Sequence, residues 1–208
     1  LTTFAVERGV IMSDNILVIH PIDPQAVVDN LSHFISMLQQ TEFIGEPFEW
    51  YGEIHYYPGR LFLKWITFLS SHTVICVDGS QSVEGALKVD SRQDCHIHFP
   101  EPHPEPEFLG GANVVSPRCP RCFYMYEGDS LDIVSAWYDD KKGFVWRCPS
   151  CHNTFRIYEL DWRKNGSFGR QQIRIWGIWV GEALPSDSFL HLLKSITQLD
   201  WTYCYYHL

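Results

Sequence analysis

Apolar positions recur along the chain with two different spacings, and the changes of spacing mark the elements. "NILVIH", from Asn15 to His20, is a short and nearly continuous apolar run, the pattern of a buried strand. Asp23 and Pro24 follow as a helix cap and first-turn residue. Val27, Leu31, Phe34, Ile35 and Leu38 then return at helical spacing through Gln40. "FEWYGEIHYY" alternates in the manner of a strand, with Gly52 as a bend or bulge. A bulge there would bring Glu49 and Glu53 towards one face. "PGRLFLKWITFL" predicts a helix and "TVICVD" a strand.

The pattern stops at "FPEPHPEPEFLGGAN". Pro100, Pro102, Pro104 and Pro106 alternate with polar residues and exclude both a helix and a central strand. Gly110 and Gly111 add a flexible joint. Beyond it, "GDSLDIVSAWYDD" predicts a helix, "GFVWRC" and "TFRIYELDW" strands, "RKNGSFGR" a turn, and "QQIRIWGIWVG" a further strand. Ser186 caps a last helix with Asp187 in its first turn, and Phe189, Leu192, Leu193, Ile196 and Leu199 form its apolar stripe. "WTYCYYHL" closes as a strand. The fold class read from this order is α+β or mixed α/β in two small domains. Residues 1–11 are read as a disordered or mis-assigned start, since Met12 lies just downstream of Leu1. An acidic mixed α/β domain spans 12–100, a Pro/Gly linker 101–112, and a zinc-ribbon domain with a C-terminal ββαβ extension 113–208.

Charge separates the same two halves. Of the formal −9, the whole excess lies in residues 1–112, where fifteen acidic side chains face five basic ones. Such a surface repels nucleic acid and favours basic partners. No run of eighteen apolar residues occurs, and Glu7 and Arg8 interrupt the N-terminus where a signal peptide needs an apolar block. A cytoplasmic location without membrane contact is the expectation.

Seven cysteines are present, four of them as "RCPRCF" and "WRCPSCHNTF". Cys119, Cys122, Cys148 and Cys151 make C-x₂-C, twenty-five residues, then C-x₂-C. Two residues between cysteines let one tight turn aim both thiolates at one ion, and two such turns complete a tetrahedron. One structural Zn²⁺ is predicted, coupling about 10 kcal/mol of metal binding to folding. Four thiolates leave no open coordination position, so this ion holds the fold and does no chemistry. A thioredoxin-like redox pair explains one copy but not two.

Three other constellations stand out. Arg118, Arg121 and Arg147 flank the cysteine turns and Arg156, Arg163, Lys164, Arg170 and Arg174 follow. They suit either nucleic-acid phosphates or pairing with neighbouring acids, and near-neutrality of this half favours pairing. Cys95, His96, His98 and His103 in "DCHIHFPEPH" read as a solvent-exposed strand end. His96 and His98 share a strand face but lack a spaced partner cluster. "TEFIGEPFEWYGEIHYYPGR" interleaves acids with large aromatics. Glu42, Glu46, Glu49, Trp50, Glu53 and Tyr56 are the candidate surface for a basic protein: aromatics anchor, carboxylates steer. An amphipathic strand with a solvated acidic face is the plainer alternative. No G-x-S-x-G, H-E-x-x-H, P-loop or G-x-G-x-x-G occurs, so no enzyme is predicted.

The last sixty residues, with the C-P-x-C pair, "DWR", "SFGR", "IWGI" and "EALPSD", resemble small bacterial zinc-ribbon proteins, similar in turn to immunity proteins of type VI secreted toxins. The resemblance implies an antitoxin that binds a cognate basic toxin, a DNase or RNase, and inhibits it by stoichiometric occlusion, without touching nucleic acid itself. The alternative is a zinc-ribbon nucleic-acid-binding or regulatory protein. Phe123 and His152 stand where common ribbons carry Gly after each pair, a departure that should loosen the sulfur–amide geometry.

Overall fold

The computed structural model describes residues 15–69 and 95–208. The strand expected at 73–78 and the start segment 1–11 lie outside the described residues. In chain order the elements are β1 (Asn15–Pro21), α1 (Leu31–Gln40), β2 (Ile44–Trp50), β3 (Glu53–Pro58), α2 (Phe62–Trp65), β4 (Ile66–Phe68), β5 (His96–His98) and β6 (Glu107–Leu109). Then come α3 (Ser130–Asp139), β7 (Trp146–Arg147), β8 (Thr154–Phe155), β9 (Ser167–Gly169), β10 (Ile173–Trp176), β11 (Ala183–Pro185), α4 (Asp187–Thr197) and β12 (Trp201–His207). The fold is mixed α+β, built on a six-stranded sheet of order β12-β1-β10-β5-β3-β2 in which every pair is antiparallel.

β1 explains that order. All seven of its residues are buried, so it needs a paired neighbour on each side and cover on both faces. Its neighbours are β10 and β12, both from beyond the proline-rich segment. The segment 101–112 therefore does not divide the sheet, and it carries a strand of its own, since β6 pairs with β9. Strand order here follows non-local burial, which a composition boundary does not report.

On one face, Leu17, Ile19, Ile97, Ile173 and Ile175 pack under α1 and α4 with Phe34, Leu38, Phe43, Phe62, Phe189 and Leu193. Each such side chain contributes about 2 kcal/mol through burial. α4 begins as expected: the Ser186 hydroxyl accepts from the Phe189 amide at 3.2 Å, with Asp187 in the first turn. α1 does not. Its cap is Asn30, whose Oδ1 accepts from His33 at 2.9 Å, while Asp23 closes a separate turn on Gln25. A short side chain that folds back two residues on stabilises a turn as readily as a helix start. The helix expected over 58–69 lasts four residues, because Ile66–Phe68 is drawn into pairing with β11.

β2 and β3 form a hairpin closed by Tyr51 and Gly52 at φ 49° and 82°. Two left-handed central residues are what a tight hairpin requires, so Gly52 is a turn residue, not a bulge. The register shift lies instead between Ile44 and Pro47. A second apolar cluster joins Ile133, Val134 and Trp137 of α3 to Ile157, Leu160, Trp162 and Phe168, beside the cysteine pairs.

Candidate functional site

The two cysteine pairs fold into matching turns. Phe123 N–H donates to the Cys119 carbonyl at 3.0 Å, and His152 N–H to that of Cys148 at 2.9 Å. Cys119 N–H donates to Tyr124 and Cys148 N–H to Asn153, each at 2.9 Å. Phe123 and His152 take φ 62° and 60°. They occupy the left-handed position usually given to Gly at about 1–2 kcal/mol each, and the geometry is not loosened by them. β7 and β8 pair beneath the second turn.

The four sulfurs lie within 4.8 Å of one another and could hold a metal ion. Cys119 and Cys151 sulfurs are 3.7 Å apart, Cys122 and Cys148 3.5 Å. A tetrahedral site with metal–sulfur bonds of about 2.3 Å needs about 3.8 Å. None of these cysteines is in a disulfide. Backbone N–H groups also point at the sulfurs. The Tyr124 amide draws the Cys122 thiol below its ordinary pKa, and the Asn153 backbone and side chain draw Cys151 down to about 6. Burial pushes Cys148 up to about 11. Backbone amides face three of the four sulfurs, Cys122, Cys148 and Cys151, and stabilise thiolate, the form that binds metal.

The "DWR" stretch supports these turns. Arg118 and Asp161 exchange backbone hydrogen bonds at 3.0 Å, and Arg118 Nε meets the Asp161 carboxylate at 2.6 Å. Trp162 is buried with its indole N–H on the Ile157 carbonyl, and Arg163 donates to Ser116. Other arginines are likewise used within the fold: Arg121 on Asn153, Arg156 on Lys142, Arg170 on His103. Their partners are mostly carbonyls and amides, not the acids expected.

No protein-family model, curated protein or solved structure matches this chain.

On the sheet face opposite α1 and α4, a second cluster lies where an exposed strand end was expected. His96 and His98 are buried, as is His55, only 2% exposed, while Cys95 is buried in the core cluster of the helix-covered side. Register brings them together, since His98 pairs with both His55 and Arg174, and His96 with Trp176. The His55 and His98 rings stack at 4.4 Å, and Trp50 meets His55 and His96 edge-on at 4.9 and 5.0 Å. His98 Nε2 is 2.7 Å from the Glu53 carboxylate. Burial first, then neighbouring histidines and Arg174, holds His55 down at about 4. Burial and then Arg174 do the same to His98. Both rings are neutral at neutral pH. The sequence alone does not expose His55. The signal was there in the spacing, with Glu53 and His55 two apart on one strand and His96 and His98 two apart on another.

The six residues taken as a partner surface divide. Trp50 and Glu53 stand opposite one another on the histidine face, while Glu49 pairs with Ile54 on the other. Alternation thus separates Glu49 from Glu53, which the hairpin turn does not bring together. Tyr56 is half-buried against Phe99 on the helix-covered side, its phenol pushed up by burial. Glu42 forms a two-point ion pair with Arg60 at 2.6–2.8 Å, which holds its carboxyl low. Glu46 and Glu49 are exposed on the outer strand β2.

Proposed function

We propose that this chain is a zinc-stapled binding module that inhibits a basic protein partner, as an immunity protein does when it occludes the substrate surface of a secreted nuclease toxin. The observation that carries the reading is the edge and tip of the β2–β3 hairpin. Tyr51 is 84% exposed and Ile54 52%, beside Glu46 and Glu49. Neither glutamate forms an ion pair among the described residues. Large side chains that bury well on contact, ringed by unpaired carboxylates, suit a cationic partner: the former anchor and the latter speed encounter. The zinc ion, held by Cys119, Cys122, Cys148 and Cys151, is structural, because four thiolates close its coordination.

Co-purification with the product of the adjacent gene tests the reading. A one-to-one complex is expected that releases the toxin's catalysis when dissociated. Tyr51→Ala with Ile54→Ala should cost about 2–4 kcal/mol of binding. Glu46→Lys with Glu49→Lys should slow association and weaken its salt dependence. Full affinity in both double variants overturns the hairpin as the contact surface. A salt-sensitive gel shift with nucleic acid alone would favour the nucleic-acid-binding reading instead.

A further inference from the structure

The histidine face carries three metal-ligand side chains for which the hairpin and the cysteine turns have no use. Glu53 and His55 lie two apart on β3, and His98 is His55's cross-strand partner on β5. Their donor atoms all lie within 4.8 Å of one another. His55 and His98 are buried while Glu53 is exposed, so the group sits with its imidazoles in the protein and its carboxylate at the mouth.

His55 Nδ1 is buried and has no hydrogen-bond partner among the described residues. An unsatisfied buried ring nitrogen costs about 1–3 kcal/mol, and it persists here beside a second imidazole and a carboxylate. We propose that Glu53, His55 and His98 form a second metal site, a two-histidine, one-carboxylate site for a divalent transition-metal ion such as Zn²⁺, separate from the four cysteines. Imidazole and carboxylate together suit zinc and its neighbours in the first transition row, and do not suit the soft ions that prefer sulfur.

The spacing requires only a small adjustment. Glu53 and His98 donor atoms are 2.7 Å apart, whereas two ligands about 2.1 Å from one ion stand about 3.0–3.4 Å apart in octahedral or tetrahedral geometry. The exposed Glu53 side chain supplies that movement. The His55 ring is held by packing: Trp50 meets it edge-on at 4.9 Å, and the His96 ring lies 4.8 Å away. Packed neighbours of this kind hold metal-binding imidazoles in orientation. Arg174, the cross-strand partner of His98, has its Nε on the Gln172 amide oxygen at 3.0 Å. Its charge opposes a bare cation and favours one carrying an anionic ligand. Three protein donors leave coordination positions open, so the ion would hold water or a small anion such as a carboxylate or phosphate on the Arg174 side.

Metal counting on the untagged full chain decides it. Protein is dialysed to equilibrium against micromolar free Zn²⁺, and bound zinc is measured by elemental analysis. Wild type should hold two ions per chain, and Glu53→Gln and His98→Gln one each. Co²⁺ loaded in place of zinc separates the sites. The thiolate-to-cobalt absorption should saturate at the first equivalent, and the second equivalent should add none. Because Glu53 is exposed, its replacement leaves folding intact, and far-ultraviolet circular dichroism checks this for both variants. One ion in wild type overturns the site, as do two ions in both folded variants. Loss in His98→Gln alone overturns the ligand set by removing the carboxylate from it.

Discussion

Acidification should destabilise this protein in part through His20, a buried histidine within its sheet. His20 on β1 is 1% exposed. Its Nδ1 lies 2.7 Å from the Pro21 carbonyl, and its Nε2 is buried without a hydrogen-bond partner among the described residues. Burial drives its pKa from 6.5 to about 4, with a smaller push from the Lys164 ammonium. A proton would have to enter a site with no acceptor to receive it. The unfolded chain binds that proton from about pH 6.5 downwards and the folded protein only near pH 4. Stability is therefore complete above the unfolded value and falls as pH drops between the two. A separation of about 2.5 units corresponds to about 3 kcal/mol in total, with about 2 kcal/mol gone by about pH 5. His20→Asn isolates the contribution, because the Asn amide can replace Nδ1 as donor to Pro21 but does not titrate. Urea denaturation of both proteins from neutral pH to about pH 4.5 gives the difference in unfolding free energy at each step. Acid effects on the cysteines, on carboxylates and on His55 and His98 are common to both and cancel. The wild type's advantage should shrink by about 2–3 kcal/mol across that range. An advantage that stays constant with pH would refute the assignment of the loss to His20.

Three further outcomes follow from the same structure. With zinc at the four cysteines as proposed, a strong chelator or Cys148→Ser should unfold the α3 cluster while leaving much of the six-stranded sheet; the loss, of about 10 kcal/mol of metal-coupled folding, is read by near-ultraviolet circular dichroism of Trp137 and Trp162. Phe123→Gly and His152→Gly should be tolerated or raise stability by up to about 1 kcal/mol, since both residues hold left-handed backbone; a drop in melting temperature in both would show that their side chains matter more than their φ. Phe189→Ala, which removes the ring packed against Phe43 at 4.4 Å, should cost about 3–5 kcal/mol in denaturant unfolding.

How much of this was legible in the sequence depends on how local each feature is. The cysteine turns were fully readable, because C-x₂-C closes within one turn and asks nothing of distant chain. The cap at Ser186 and the helix over α3 were readable for the same reason. Asp23 misled, since an Asx side chain serves a turn as well as a helix. The spacing within each strand was readable, but the histidine cluster was not, because it is made by register: His55 meets His98 only once β3 and β5 pair, some forty residues apart. The proline-rich segment was read as a border because prolines do break strands. It does so locally, while β10 and β12 run past it to enclose β1.

That enclosure sets an order of events for the emerging polypeptide. β1 pairs with β12 from Asn15 against His207 to Pro21 against Trp201, so β1 leaves the ribosome long before the strand that closes its edge. Until then its edges stay open, and closing so long a loop is among the slower contacts a protein makes. The cysteine turns span only residues 119–151 and can come together in the meantime. Folding in the cell then leaves β1 waiting while the cysteine turns close, with that strand as the segment a chaperone would have to shield.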